Sequence, residues 1–190
     1  MRLVLATRNA HKVRELGPLL AGHELEALPE DVELPPEEGD TFADNALGKA
    51  RAAATATGRP TIADDSGIEA AALGGAPGVR SARYAGPDAG DEENLAKLLR
   101  EAPAGSPLAY VCALAFVDPA TGIEHLVEGR CTGTLAAQPR GEGGFGYDPA
   151  FVPDDDATGR TMAQLDAGEK DAISHRGRAA RALAHRLAER

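Results

Sequence analysis

Two adjacent carboxylates, Asp64-Asp65, follow the short apolar run Thr61-Ile62-Ala63 and precede Ser66-Gly67. Paired acids at the end of a buried strand repel one another unless a cation sits beside them. Magnesium suits such a strand end, because it takes a few carboxylates together with waters and substrate phosphates. Asp-Asp-Ser-Gly is also good turn chemistry, which is the plainer alternative. A second group, Thr7-Arg8-Asn9-Ala10-His11-Lys12, gathers hydroxyl, amide and ammonium donors where a strand gives way to a helix. Donors at a helix N-terminus suit a phosphate chain, although an ordinary N-cap uses the same residue types. Without the glycines this is not a Walker loop. A third group is Gly143-Gly144-Phe145-Gly146-Tyr147-Asp148-Pro149, which sets two aromatics on a permissive backbone in a chain with 4 Phe, 3 Tyr and no Trp. An aromatic so placed can stack a nucleobase for about 1–3 kcal/mol, or simply plug the core. Finally, Ser174-His175-Arg176 opens the last helix with Ser174 as N-cap and two cationic residue types in the first turn. The helix dipole opposes cations there, so an anion or a carbonyl-rich base is a natural partner. Together the four groups describe a nucleotide site.

The elements that must carry these groups are legible in outline. Leu3 to Ala6 reads as a strand, and Val13, Leu16, Leu19 and Leu20 give the following helix its apolar spacing. Residues 24 to 28 suit a second strand, and the proline- and acid-rich stretch from Pro29 to Asp40 suits neither helix nor strand. From Thr41 to about Thr57 an alanine-rich helix is expected, capped by Thr41 or Asp40 and closed by Gly58, with Asn45 and Lys49 on one face. A strand ends in Asp64-Asp65, and Ile68 to Leu73 reads as another. Residues 91 to 101 form a short helix, Tyr110 to Val117 a central strand apolar on both faces, and Ile123 to Leu135 a long returning strand. The chain closes with a helix from Ser174, buried through Ala179, Ala180, Leu183, Ala184 and Leu187. With no repeats and no clear linker, residues 1–190 are read as a single α/β domain.

Composition narrows the function. Thirty acidic against 20 basic residues leave a net charge of −10, which disfavours a nucleic-acid polymer but not a free nucleotide. Only four basic residues are lysine, which draws attention to Lys12, Lys49 and Lys170 as sites for a compact ammonium. Cys112 and Cys131 lack metal-ligand spacing and are expected reduced and buried. No apolar stretch is long enough to span a bilayer and no signal peptide is evident, so a cytoplasmic location is expected.

In this order, the motifs resemble the inosine triphosphate pyrophosphatase family, the pyrophosphatases of non-canonical purine nucleoside triphosphates. The resemblance runs through residues 5–12, Thr41-Phe42-Ala43-Asp44-Asn45-Ala46 with Lys49-Ala50, Ala63 to Gly67, Gly74 to Tyr84, Gly143 to Pro149 and Ser174 to Gly177. It implies an elongated mixed β-sheet flanked by helices, with two lobes and a central nucleotide cleft, as in Maf-like and ITPase-like proteins. It further implies a homodimer, magnesium, and attack on the α-phosphate of ITP, dITP or XTP to release pyrophosphate. Carried over by position, Thr7, Asn9 and Lys12 bind phosphates, Lys49 neutralises them, and Ser66 contacts the substrate. Glu37 and Asp65 ligate magnesium, with Glu38 an alternative to Glu37, and Asp64 or Asp65 orients or deprotonates the attacking water. Phe145 stacks on the base in the Gly146-Tyr147-Asp148 loop, and Lys170, His175 and Arg176 read its edge. Arg8 and His11 occupy variable positions and carry no assigned role. A Maf-like pyrophosphatase of modified pyrimidines is the rival enzyme, and a non-catalytic nucleotide sensor the rival of another class.

Overall fold

The structure, a computed structural model, describes residues 1–189. Six strands form one mixed sheet in the order β2-β1-β3-β4-β5-β6, and the chain groups into two compact units. The first comprises Met1–Asp65, Cys112–Gly129 and the stretch from Arg176 onward; the second comprises Ser66–Val111 and Arg130–His175.

In the first unit, β1 (Arg2–Leu5) leads through α1 (Ala10–Leu19) to β2 (Glu24–Ala27), which pairs parallel to it. The chain then passes through α2 (Phe42–Thr57) to β3 (Thr61–Ala70), which pairs parallel to β1 on its other side through Val4 with Thr61 and Leu5 with Ile62. Winding outward in both directions from β1 makes the carboxyl ends of β1 and β3 a topological switch point, where open α/β sheets bind ligands. Right-handed crossovers to opposite sides also put α1 and α2 on opposite faces. Leu3, Leu5 and Ile62 pack with Leu16 and Leu20 of α1 and with Ala179, Ala180 and Leu183 of the terminal helix α5 (His175–Ala188). Thr41 caps α2 by accepting from the Asp44 N–H, and Gly58 ends it in the left-handed conformation at φ 66°. Both ends match the sequence expectation.

The second unit holds the continuation of β3, α3 (Asp91–Glu101), and parts of β4 (Pro107–Asp118) and β5 (Ile123–Leu135). It also holds β6 (Phe151–Pro153) and α4 (Ala167–Ile173), and β6 pairs antiparallel to β5. Its core gathers Ile68, Leu98, Tyr110, Phe151, Met162 and Leu165. Cys112 and Cys131 are both buried and free, as expected.

Two expectations need correction. β3 does not stop at Asp64-Asp65; it runs unbroken to Ala70, and the residues after it form a 3-10 turn, Ala71–Leu73. Extended backbone rather than a turn therefore carries the acid pair. Sequence periodicity also missed α4, whose short sequence carries a glycine and little apolar pattern, although Asp166 and Glu169 supply the reciprocal capping box that marks its start. Among the described residues no helix is long and apolar enough to cross a membrane.

Candidate functional site

Because side chains alternate along a strand, Asp64 and Asp65 project to opposite faces of β3. Each acid then meets its own cations, Lys12 and Arg176 beside Asp64 and Lys49 beside Asp65. Asp64 shares the face of Ile62, toward α1 and α5. Its Oδ2 lies 3.2 Å from Lys12 Nζ and 3.4 Å from both Nε and Nη2 of Arg176, and its side chain is fully buried. Arg176 in turn donates through Nη1 to Glu15. Burial alone would raise the Asp64 pKa, but Lys12, Arg176 and Lys49 outweigh it and hold the carboxyl far below the usual carboxylate range.

Asp65 faces α2. Its Oδ2 accepts from Asn45 Nδ2 at 2.9 Å, and its Oδ1 lies 3.9 Å from Lys49 Nζ. One helical turn separates Asn45 from Lys49, which places both over the same strand. Lys49 also donates to the Asp64 backbone carbonyl at 2.6 Å and to Glu37. Burial raises the Asp65 pKa, Lys49 opposes that, and Glu37 reinforces it, with a net upward shift. Lys49 stays charged: burial works against its proton, but Asp64, Glu37 and Asp65 more than compensate. Two neighbouring acids are thus driven in opposite directions, Asp64 by its two close cations and Asp65 by burial.

At the end of β1, Asn9 is an N-cap. Its Oδ1 accepts from the N–H groups of His11 and Lys12, while Thr7 Oγ1 accepts from the Asn9 N–H. Some of the donors read as a phosphate cradle are therefore already engaged by the chain itself. Beyond its cap this junction contributes the ammonium of Lys12 together with the Thr7 hydroxyl and the Asn9 amide nitrogen as donors. Arg8 turns away from it and binds backbone carbonyls of residues 28–32.

Among the described residues no group of three or more His, Cys, Asp or Glu side chains is arranged to hold a metal. Glu37 and Asp65, however, converge on Lys49, and the Asn45 amide joins Asp65 to the Gly39 N–H. Two carboxylates are a normal protein contribution to magnesium, which completes its shell with waters and phosphates. The donor set fits a hard divalent cation.

The second unit assembles Phe145, Tyr147, Asp148, Lys170 and His175. Asp148 is the hub, accepting from Tyr110 Oη at 3.0 Å, from Lys170 Nζ at 2.6 Å and from the Phe145 N–H at 2.9 Å. Gly144 and Gly146 allow this tight loop with φ of 68° and 62°, and a Cβ on Gly144 would lie 2.0 Å from Asp148 Oδ2. Phe145 is half-buried, with the Lys170 ammonium 5.3 Å from its ring centroid. The His175 ring stacks on Tyr110 at 4.6 Å and 11°. Tyr147 is buried, and its hydroxyl donates to the Ser81 carbonyl at 2.7 Å, so it braces the loop. The Gly146 N–H donates to Asp91. Ser66 is half-buried on β3, on the Asp64 face.

Geometry divides the expected site residues cleanly. Lys12, Lys49, Asp64, Asp65 and Glu37 meet in the first unit; Phe145, Asp148, Lys170 and His175 belong to the second. Arg176, expected beside His175 at the base edge, instead sets its guanidinium on Asp64 and Glu15. Successive residues at the start of a helix point about 100° apart, which sends these neighbours to different partners. Sequence reading assigned no role to Glu15, Asn45, Tyr110 or Arg8. Asn45 was recognisable from its spacing to Lys49; the others meet their partners only through the fold.

A cation-laden acidic group at a parallel-sheet switch point, with a lysine-flanked aromatic in a separate glycine loop, defines an α/β nucleotide-handling protein. A profile of the Ham1 family matches residues 3–186, and the chain belongs to that family. It is 50% identical over 202 residues to a dITP/XTP pyrophosphatase of Frankia alni, covering 100% of this chain and 98% of the relative. A dITP/XTP pyrophosphatase of Geobacillus kaustophilus is 50% identical over 187 residues, 93% of this chain and 89% of the relative. Among solved structures, a HAM1 protein from Coxiella burnetii superposes with a TM-score of 0.88 at 40% identity, covering both chains completely.

Proposed function

We propose that the chain hydrolyses non-canonical purine nucleoside triphosphates, dITP, ITP and XTP, to the monophosphate and pyrophosphate. The observation that carries the mechanism is the opposite placement of two adjacent carboxylates: Asp64 is fully buried against Lys12 and Arg176, whereas Asp65 lies on the other face of β3 beside Asn45 and Lys49. Asp65 is accordingly the group that orients the attacking water and accepts its proton as oxygen bonds to the α-phosphorus and pyrophosphate leaves. Asp64 stays an anion that fixes Lys12 and Arg176. Lys12 and Lys49 offset the phosphate charge, with Thr7, Asn9 and Ser66 as neighbouring polar contacts. Glu37 and Asp65 would hold Mg2+, which when bound would add electrostatic stabilisation of the phosphate oxygens.

In the second unit Phe145 offers a face to the purine, and Lys170 and His175 supply polar edges. A donor facing the purine 6-position favours a 6-oxo group and leaves a 6-amino group unpaired, at about 1–3 kcal/mol. This supports rejection of ATP. The same reading has the enzyme act in the cytoplasm on the free nucleotide pool as a homodimer; its net charge of −10 supports a role apart from nucleic-acid polymers. Pyrophosphate release is measured with dITP, ITP, XTP, GTP and ATP, with magnesium and with EDTA. Magnesium-dependent turnover of the first three, with GTP and ATP slow, is expected. Equal turnover of all five would overturn the base reading, and binding without release would make the chain a nucleotide sensor.

A further inference from the structure

Between β2 and α2 the chain runs from Leu28 to Asp40 without helix or strand, through Pro29, Pro35 and Pro36. Irregular backbone must place its polar groups somewhere. Within this stretch the backbone–backbone bonds are Val32 N–H to the Pro29 carbonyl and Glu38 N–H to the Pro36 carbonyl. Arg8 reaches four of the segment's carbonyls. Its Nη1 donates to the Leu28 carbonyl at 2.8 Å, and its Nη2 lies 2.5, 3.3 and 3.0 Å from the carbonyls of Pro29, Glu30 and Val32. Leu28 and Val32 themselves are buried. At the far end the Gly39 N–H donates to Asn45 Oδ1, where a Cβ on Gly39 would come within 2.7 Å of that oxygen. Glu37 lies between the two anchors with its carboxylate on Lys49.

We infer that Arg8 is a positioning residue: it fastens the segment bearing Glu37 to the loop bearing Lys12, and thereby sets the carboxylate that meets the metal. This rests on Glu37 being a metal ligand. A guanidinium fork reaches several carbonyls at once, which an ammonium on a flexible stem does not reproduce. Arg8 is largely exposed, so its contacts are screened and the effect is modest rather than all-or-none.

The test is a double-mutant cycle of Arg8→Ala and Glu37→Gln, with Arg8→Lys as a milder second variant. Each protein is titrated with Mn2+ by electron paramagnetic resonance, and with Mg2+ in turnover assays. Arg8→Ala should raise the metal concentration for half-saturation about three- to tenfold, the scale of a lost net hydrogen-bonding contribution. Arg8→Lys should fall between it and the parent, and the preference for ITP over ATP should not move. In the Glu37→Gln background the effect of Arg8→Ala should vanish, because the carboxylate it positions is gone. A lower melting temperature with unchanged Mn2+ affinity would overturn the inference, as would effects of Arg8 and Glu37 that simply add. Unchanged Mn2+ affinity in Glu37→Gln alone would instead show that Glu37 is no ligand, and the inference about Arg8 would fall with it.

Discussion

Replacing Asp64 and Asp65 one at a time by asparagine should move stability in different directions, although the residues are adjacent and the substitutions identical. Asp64 is fully buried against Lys12 and Arg176, whose side chains are 13% and 2% exposed. Removing the shared anion leaves both cations short of a partner, and breaking a buried pair in this way costs about 3–5 kcal/mol. Arg176 retains Glu15 and Lys12 can swing outward, so the lower end applies. At about 2–4 °C per kcal/mol for a chain of this size, Asp64→Asn should melt roughly 6–12 °C below the parent. Asp65 differs because its folded pKa is raised: the fold disfavours the charged form, so the carboxylate opposes stability above that raised value and ceases to do so as pH falls through it. Asp65→Asn removes this opposition while Lys49 keeps Glu37, so its melting temperature should equal or exceed the parent's, with turnover lost. The pH dependence has the converse sign for Asp64. Its lowered pKa stabilises the fold above the ordinary carboxylate range, and that contribution drains away as pH falls below about 4. The assay is thermal unfolding of the three proteins in EDTA at pH 7 and across pH 3–7. An Asp64→Asn protein melting within about 2 °C of the parent, or an Asp65→Asn protein that is the less stable of the two, would refute the assignment of anchor and acceptor.

Phe145→Ala should weaken ITP binding by about 1–3 kcal/mol, the value of one stacked base, with metal affinity unchanged; isothermal titration with a non-hydrolysable analogue measures it. Gly144→Ala should destabilise the second unit and impair base selectivity, since a Cβ there meets Asp148 Oδ2 at 2.0 Å on a backbone with φ of 68°. Amide hydrogen exchange around residues 143–149 together with the ITP-to-ATP ratio reports both effects. Cys112, whose thiol is pushed up to about 12 by burial and by Asp64, should resist iodoacetamide at pH 8 in the folded protein and react promptly in urea, as peptide mass spectrometry would show.

Local rules made much of this protein readable from its sequence. Thr41 with Asp44, and Gly58, mark the two ends of α2 because caps depend on residues only a few positions apart. The spacing of Asn45 and Lys49 placed them together for the same reason, and the scarce lysines at 12, 49 and 170 each carry a buried or half-buried ion pair. The family itself was legible from the order of its motifs. What the sequence left open was the role of each charge. Whether Asp64 and Asp65 share a turn or face opposite ways depends on how far β3 extends, and that is set by its pairing with neighbouring strands rather than by its own residues. Arg176 meets Asp64 across 112 residues of chain, and Arg8 meets the carbonyls of residues 28–32 more than 19 positions away. Neither partner carries a pattern that announces the other, since a backbone carbonyl has no residue identity. Only the tertiary structure separated the acid set against Lys12 and Arg176 from the acid set against Asn45 and Lys49, because burial and the number of neighbouring cations are properties of position in the fold.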